Sequence, residues 1–197
     1  MDDVEFVFVG DSLALDLVNT EVIVRGSPKD LLGAPADIAA WWDRARLRHG
    51  DDGLAGGLDS ADAGLLAEVT TLRAALRRIC DALVAGQPAS PADLAAINRP
   101  LAWGRRRLDL DPTGRIRAGD AIEGGDQQRL LFALALDALR LLTELAPDRL
   151  HRCQNARCIL YFYDTTKSAT RRWCSTACMN RARSHQHYLE RKRQGGA

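Results

Sequence analysis

The sequence predicts an α+β chain in two parts. A mainly helical N-terminal domain with a few strands is expected over residues 1–147, and a small C-terminal module, a β-hairpin followed by a helix, over residues 148–197. Three observations predict this. Two long stretches carry apolar residues at intervals of three and four, which makes helices with one buried stripe. Short alternating or β-branched segments lie between them. Four of the five cysteines fall between positions 153 and 178, in a segment too poor in large apolar groups to fold by burial alone. The 197 residues, 46% hydrophobic and 27% charged, exclude wholesale disorder. The absence of any run of about 18 uncharged apolar residues excludes a membrane helix. The acidic start, Met1-Asp2-Asp3-Val4-Glu5, is unlike a secretory signal, so a cytoplasmic location is expected.

The elements follow in order. Val4 to Val9 is β-branched and aromatic, ends at Gly10 and reads as a strand. Residues 12–20 fit either a strand or a helix. Gly26-Ser27-Pro28 marks a loop, and Pro35 opens a short helix through Trp41, Trp42 and Leu47. Asp51-Asp52-Gly53 with Gly56-Gly57 is a flexible connection. Ser60 is placed to cap a long helix ending at Gly86, with Leu65, Leu66, Val69, Leu72, Leu76, Ile79 and Leu83 as its stripe and Cys80 as a small core residue beside it. Ser90-Pro91 starts a helix that runs to about Trp103-Gly104. Residues 108–110 and 115–117 form a hairpin around Asp111-Pro112-Thr113-Gly114. Asp126 caps a further helix, apolar on much of its circumference and stopped by Pro147.

The charge is as uneven as the cysteines. The whole chain is +1, but residues 149–197 hold 11 basic and two acidic residues, a net +9, against −8 for residues 1–148. An acidic body with a basic tail points to an anionic partner for the tail.

The tail reads Cys153-x4-Cys158-x15-Cys174-x3-Cys178. Two close cysteine pairs joined by a loop suit a tetrahedral Zn²⁺, each pair biting two vertices. Four thiolates leave no vertex open, so one structural zinc per chain is expected, not a catalytic one. An iron–sulfur cluster and two disulfides are the alternatives. The spacing disfavours the first and a reducing compartment the second. His151, His185 and His187 are competing ligands, but His185 is better placed to pack under the knuckle or to hydrogen-bond a ligand. Binding through four thiolates removes two charges from the tail, leaving about +7.

Between the pairs, Ile159 to Asp164 reads as a strand and Arg171-Arg172-Trp173 as its partner. Ser175 is an N-cap that puts Cys178 in the first turn of a helix reaching about Lys192. At 100° per residue, Cys178, Ala182, His185 and Leu189 share the inner face of that helix, and Asn180, Arg183, His187 and Arg191 the outer one, with Arg181 on the flank. Arginine and asparagine on one exposed face suit the major groove or a phosphate backbone, so Arg171, Arg172, Asn180, Arg181, Arg183, His187 and Arg191 are the candidate DNA contacts.

Arg172-Trp173-Cys174-Ser175 followed by Cys178-Met179-Asn180-Arg181 resembles the CGNR zinc finger, named for a Cys-Gly-Asn-Arg signature, and Asp164 after an aromatic pair fits the same pattern. The resemblance covers roughly residues 148–193. Met179 stands where the family has glycine. Leu13-Ala14-Leu15-Asp16-Leu17-Val18-Asn19-Thr20, Leu31-Leu32 and Trp41 are similar to the family's partner domain, ABATE. Together these resemblances imply a bacterial transcription regulator described as stress-induced.

In the body, Asp16, Asn19, Thr20 and Arg25 form a polar cluster. Asp16, Asn19 and Arg25 are candidate contacts for a small-molecule effector, against a reading as an Asx-type turn and a helix end in which side chains bond nearby backbone. No nucleophile–base pair or phosphate loop asks for an enzyme. The function expected is a zinc-dependent DNA-binding regulator. Its N-terminal domain would sense a ligand or protein, or form a homodimer. A zinc-stabilised protein-interaction module without DNA binding, or an RNA or single-strand binder, is the alternative.

Overall fold

The computed structural model describes residues 5–50 and 57–194, without the side chains of residues 187–190, 193 and 194. The connection expected around residues 51–57 lies almost wholly outside the described residues.

The element order is α1 (Leu13–Val18), β1 (Glu21–Val24), β2 (Ser27–Asp30), α2 (Pro35–His49), α3 (Ala63–Val84), α4 (Pro91–Leu101), β3 (Gly104–Leu110), β4 (Ile116–Ile122), α5 (Asp126–Thr143), a 3₁₀ turn (Pro147–Arg149), β5 (Leu150–Arg152), β6 (Tyr161–Tyr163) and α6 (Thr176–Gln194). The strands form three separate antiparallel pairs, β1–β2, β3–β4 and β5–β6. Helices α1 to α5 carry the main core, so the α+β reading holds.

Helix α1 settles the ambiguity of residues 12–20. All six of its residues are buried, and it packs on α2, α3 and α5. Its entry is fixed twice by Asp137 of α5, whose carboxylate accepts from the Ser12 hydroxyl (2.6 Å) and the Ala14 amide (2.8 Å). Leu15, Leu17, Trp41, Leu65, Leu76, Ile79, Leu130 and Leu131 form the centre of the cluster. Cys80 is fully buried there, and burial pushes its thiol up to about 12, so it is an inert core residue.

Several elements differ from expectation. Residues 5–9 are extended but pair with no strand. Phe8 packs on the main core, Val7 and Val9 on the cluster around the cysteines, and Phe6 on both. The alternation is real, but it serves two apolar surfaces and not one sheet. The loop expected at Gly26-Ser27-Pro28 is half of a hairpin: Val24 faces Ser27 across a two-residue turn, Arg25-Gly26, with φ of 51° and 87°. Asp62, not Ser60, caps α3, its carboxylate accepting from the Leu65 amide (2.7 Å). Asp126 is the first residue of α5 and Gly125 its N-cap, because Gln128 reaches back to the Gly125 amide (3.0 Å). Helix α5 ends at Thr143, before Pro147, which instead opens the 3₁₀ turn.

Gly10 shows how tightly the extended segment is held. Its amide donates to Asp16 (2.7 Å), and a Cβ there would lie 2.6 Å from Leu15 Cβ and 2.8 Å from the same carboxylate. Gly10→Ala is expected to cost about 2–3 kcal/mol, because the contacts are with buried, backbone-anchored atoms. Urea denaturation checks this, and an unchanged midpoint would mean that the segment is not fixed at Gly10.

Candidate metal centre

The centre is built from two knuckles. In the first, Cys153 follows β5 and its amide donates to the Leu160 carbonyl (2.9 Å). Asn155 then turns the chain, its side-chain oxygen accepting from the Arg157 amide (3.0 Å) and its carbonyl from the Cys158 amide (2.9 Å). In the second, Ser175 Oγ accepts from the Cys178 amide (3.2 Å), the N-cap expected from the sequence. Asn155 Nδ2 ties the knuckles together by donating to the Cys178 carbonyl (3.2 Å).

The four sulfurs lie within 4.8 Å of one another, and Cys158 Sγ and Cys174 Sγ are 3.8 Å apart. Zinc–sulfur bonds of about 2.3 Å in a tetrahedron put sulfurs about 3.8 Å apart. That spacing is far beyond the ~2.05 Å of a disulfide, and all five cysteines are free thiols. The donor set therefore fits one structural Zn²⁺. The thiols need such a cation. Sharing protons among themselves, they push Cys153 down to about 2 but Cys158 up to about 12 and Cys174 up as well, so they do not all ionise together without a counter-charge. Among the described residues, no other group of three or more His, Cys, Asp or Glu converges in this way. His151 lies tilted against Phe162, ring centroids 5.6 Å apart, and His185 is exposed.

The arrangement around the centre corrects two expectations. β6 pairs with β5 and not with Arg171-Arg172-Trp173, Leu150 facing Tyr163 and Arg152 facing Tyr161. Residues 171–173 are instead drawn in by Asp164, whose buried carboxylate accepts from the Thr166 amide (2.9 Å), the Thr166 hydroxyl (2.6 Å) and the Arg171 amide (2.7 Å). Burial alone would raise the Asp164 pKa, but those three donors outweigh it and hold the carboxyl below its ordinary value. His185 does not pack under the knuckle, because α6 outruns the small module: Cys178 is buried, Ala182 half-buried and His185 exposed. Met179 sits in α6 and is not among the residues with positive φ, so the backbone at that position does not require glycine.

The candidate DNA contacts separate into groups. Arg172, Asn180 and Arg181 line one open groove of about 810 Å³. Gln154, Arg157 and His185 line it with them. Arg183 and Arg191 are exposed on α6 outside that groove. Arg171 points inward, donating to Asp11 (2.8 Å), to the Trp173 carbonyl (3.1 Å) and to the Cys174 carbonyl, 4.4 Å above the Phe162 ring. Arg172 donates to Gln154 (2.7 Å). Arg181 donates to Cys178 Sγ (3.2 Å), and that hydrogen bond raises its pKa. The side chain of His187 lies outside the described residues. Arg157 and Gln154 were not singled out from the sequence. The signal was there, since they sit between or beside the first two cysteines, where a knuckle loop must face outward.

Asp16, Asn19 and Arg25 are not brought together. Asp16 is buried and holds the Gly10 amide and His49 Nε2 (2.8 Å). Asn19, fully buried, accepts from the Tyr161 amide and donates to the Tyr161 carbonyl, both at 2.8 Å. Thr20 does make the local bond expected of a helix end, to the Leu17 carbonyl (2.7 Å). Arg25 is at the tip of the β1–β2 hairpin.

Two family models match the chain. ABATE, described as "Putative stress-induced transcription regulator", covers residues 11–145. The CGNR zinc finger covers residues 149–192, with all four cysteines inside it. A comparison with curated proteins finds no match. No helix among the described residues is long and apolar enough to cross a membrane. The ABATE match spans more than half of the sequence and the finger most of the remainder, so the chain belongs to the ABATE family and carries a CGNR zinc finger at its C-terminal end.

Proposed function

We propose that the protein is a zinc-dependent DNA-binding transcription regulator. The knuckle of residues 153–158 and the exposed side of α6 contact the duplex, and residues 1–147 sense a signal or form a homodimer. The observation that carries this reading is the α6 groove. Arg157, Arg172 and Arg181 converge on it with the amides of Gln154, Asn155 and Asn180, and among the described residues no acid lines it. Guanidinium groups suit phosphate oxygens and guanine edges, and amides suit adenine. Arg183 and Arg191 extend the exposed positive charge along the helix.

The finger also docks on its own body. Arg171 meets Asp11 (2.8 Å), Arg152 approaches Asp81 (3.7 Å) and Tyr161 donates to Asp81. This docking uses the β5–β6 side and the loop before the second knuckle, so it leaves the groove exposed. Docking on the body is therefore compatible with DNA binding and does not replace it.

The test is an anisotropy titration of the zinc-loaded chain with duplex DNA at several salt concentrations. Binding should weaken steeply with salt, with a slope of about −0.9 per neutralised phosphate. Arg183→Glu with Arg191→Glu should lower affinity about 10-fold or more at ~100 mM salt and flatten the slope by about 2, with zinc content unchanged. Absence of binding at low salt sinks the reading. So does equal binding by the charge-reversed chain.

A further inference from the structure

The β3–β4 hairpin meets the helices at its foot, where a Cβ on Gly104 would overlap the Phe132 ring of α5. Further out, the face that carries Gly104 turns apolar and is left uncovered. Leu108 is 77% exposed, Leu110 67% and Ile116, which faces Leu110 across the ladder, 73%. Two paired strands alone are marginal in water, so such a face calls for further strands beside it.

β3 has room for one. Among the described residues it pairs with β4 alone, so its outer edge carries no strand. Asp111 donates to the Arg115 carbonyl (2.9 Å) and Glu123 to the Trp103 carbonyl (2.7 Å), which places the inward-facing backbone groups on the odd-numbered residues of β3. The amides and carbonyls of Arg106, Leu108 and Leu110 therefore point out along the free edge.

The charge along that edge says what fits it. The strand and the residue after it read Arg105-Arg106-Arg107-Leu108-Asp109-Leu110-Asp111, basic before Leu108 and acidic after it. An edge of one sign repels a second copy of itself, which is one way natural sheets avoid pairing. An edge that changes sign at its middle attracts one. Laid antiparallel about a twofold axis at Leu108, two copies set Arg107 opposite Asp109 and Arg105 opposite Asp111, twice over. Moving the axis to Arg107 or to Asp109 sets like charges directly opposite, so the register is fixed. The β4 edge offers no such match, since an axis at Ala118 puts Ile116 against Asp120.

We propose that the protein forms a homodimer through its β3 edges, which joins two hairpins into one four-stranded antiparallel sheet. The two Leu108 residues exchange backbone hydrogen bonds at the axis, and Arg106 of each copy does so with Leu110 of the other. On the apolar face Leu108 meets Leu108, and Leu110 rests on the aliphatic stem of Arg106. On the opposite face Arg107, which donates to Asp109 of its own strand (3.1 Å), gains a second carboxylate. The proposal takes up the homodimer side of the reading above, gives it a surface, and does not require DNA binding.

The test is sedimentation of the zinc-loaded chain without DNA, at concentrations up to about 100 µM. Wild type should be a dimer that dissociates on dilution, and more readily at high salt. Leu108→Arg brings two guanidinium groups together at the axis, and Arg107→Glu sets an acid against Asp109. Each should weaken the dimer about 10-fold or more. Ile116→Arg, on the apolar face but on β4, should weaken it by less than about 3-fold. All three side chains are exposed in the single chain, so the circular dichroism of each variant should match wild type. A wild type that stays monomeric at ~100 µM overturns the proposal and leaves the edge to another protein or to none. So does a dimer that Ile116→Arg weakens and Arg107→Glu spares, because two apolar faces then stack instead. Duplex titration of the same samples keeps the two readings apart. A monomer that binds duplex overturns the dimer alone, and a dimer that binds none overturns the DNA-binding reading alone.

Discussion

Removing zinc is expected to destabilise the whole chain and not the finger alone, lowering the thermal midpoint by about 10 °C or more. Structural zinc contributes about 10–16 kcal/mol to the folding of isolated finger peptides, and among the described residues of the finger the buried apolar cluster beside the cysteines is small. Here the loss travels further. Val22, Leu31 and Phe162 lie in the cluster with the cysteines, and Tyr161 of the adjacent position lies in the main core, fully buried beside α1 and α3. When the thiols lose their cation, like-charged or proton-sharing sulfurs separate, the hairpin loses its support, and β6 loses the register that keeps Tyr161 inside. The check is circular dichroism of helix melting with and without chelator, combined with a count of zinc released. Cys174→Ser should reproduce the shift without chelator, because it removes one buried vertex of the site. Two independent transitions, with the helical one unmoved by zinc, would show that the halves are energetically separate.

That coupling explains which features were legible in the sequence. The metal site was legible in full, because ligand spacing and thiol chemistry are local properties. So were α3 and α5, whose apolar stripes answer to one core, and α4, whose Ser90-Pro91 start marks a helix N-terminus. The β1–β2 hairpin was not. Ser27-Pro28-Lys29-Asp30 has no large apolar residue and no alternation to betray a strand, and its turn carries arginine where asparagine or glycine is the usual signal. β5 is three residues long, so Arg171-Arg172-Trp173 looked like the better partner for β6. Only the buried Asp164, which binds the Arg171 amide, shows why that segment is pulled into a loop. The direction of Arg171 was equally hidden. A basic residue beside a zinc ligand reads as a DNA contact until Asp11, distant by 160 positions in the sequence, is found beside it.

The same hidden partnership decides the role of Asn19. By sequence it belonged to a polar cluster that fitted either an effector site or a helix end, with the helix end favoured; in the structure it is the C-cap of α1 and also the clamp on β6. Asn19→Asp is expected to cost about 3–5 kcal/mol near neutral pH. The substitution keeps the acceptor for the Tyr161 amide but turns the donor into an oxygen facing the Tyr161 carbonyl, in a site with no exposure to water. A charged carboxylate there is repelled and desolvated, so its folded pKa must rise above the unfolded value of about 3.9. The sign of the pH dependence follows. Below about pH 3.9 the carboxyl is protonated in both states, can donate to the carbonyl, and the penalty is small. The penalty grows as pH rises towards the folded pKa and is complete above it. Asn19→Ala, which leaves both Tyr161 backbone groups without partners, should cost about 2–4 kcal/mol with no such pH dependence. Urea denaturation of both variants against wild type at pH 5 and pH 7.5 distinguishes them. If the aspartate variant lost no stability at pH 7.5, water or movement would have to reach the carboxylate. The joint between α1 and the finger would then be loose, and zinc removal would no longer be expected to reach the helical core.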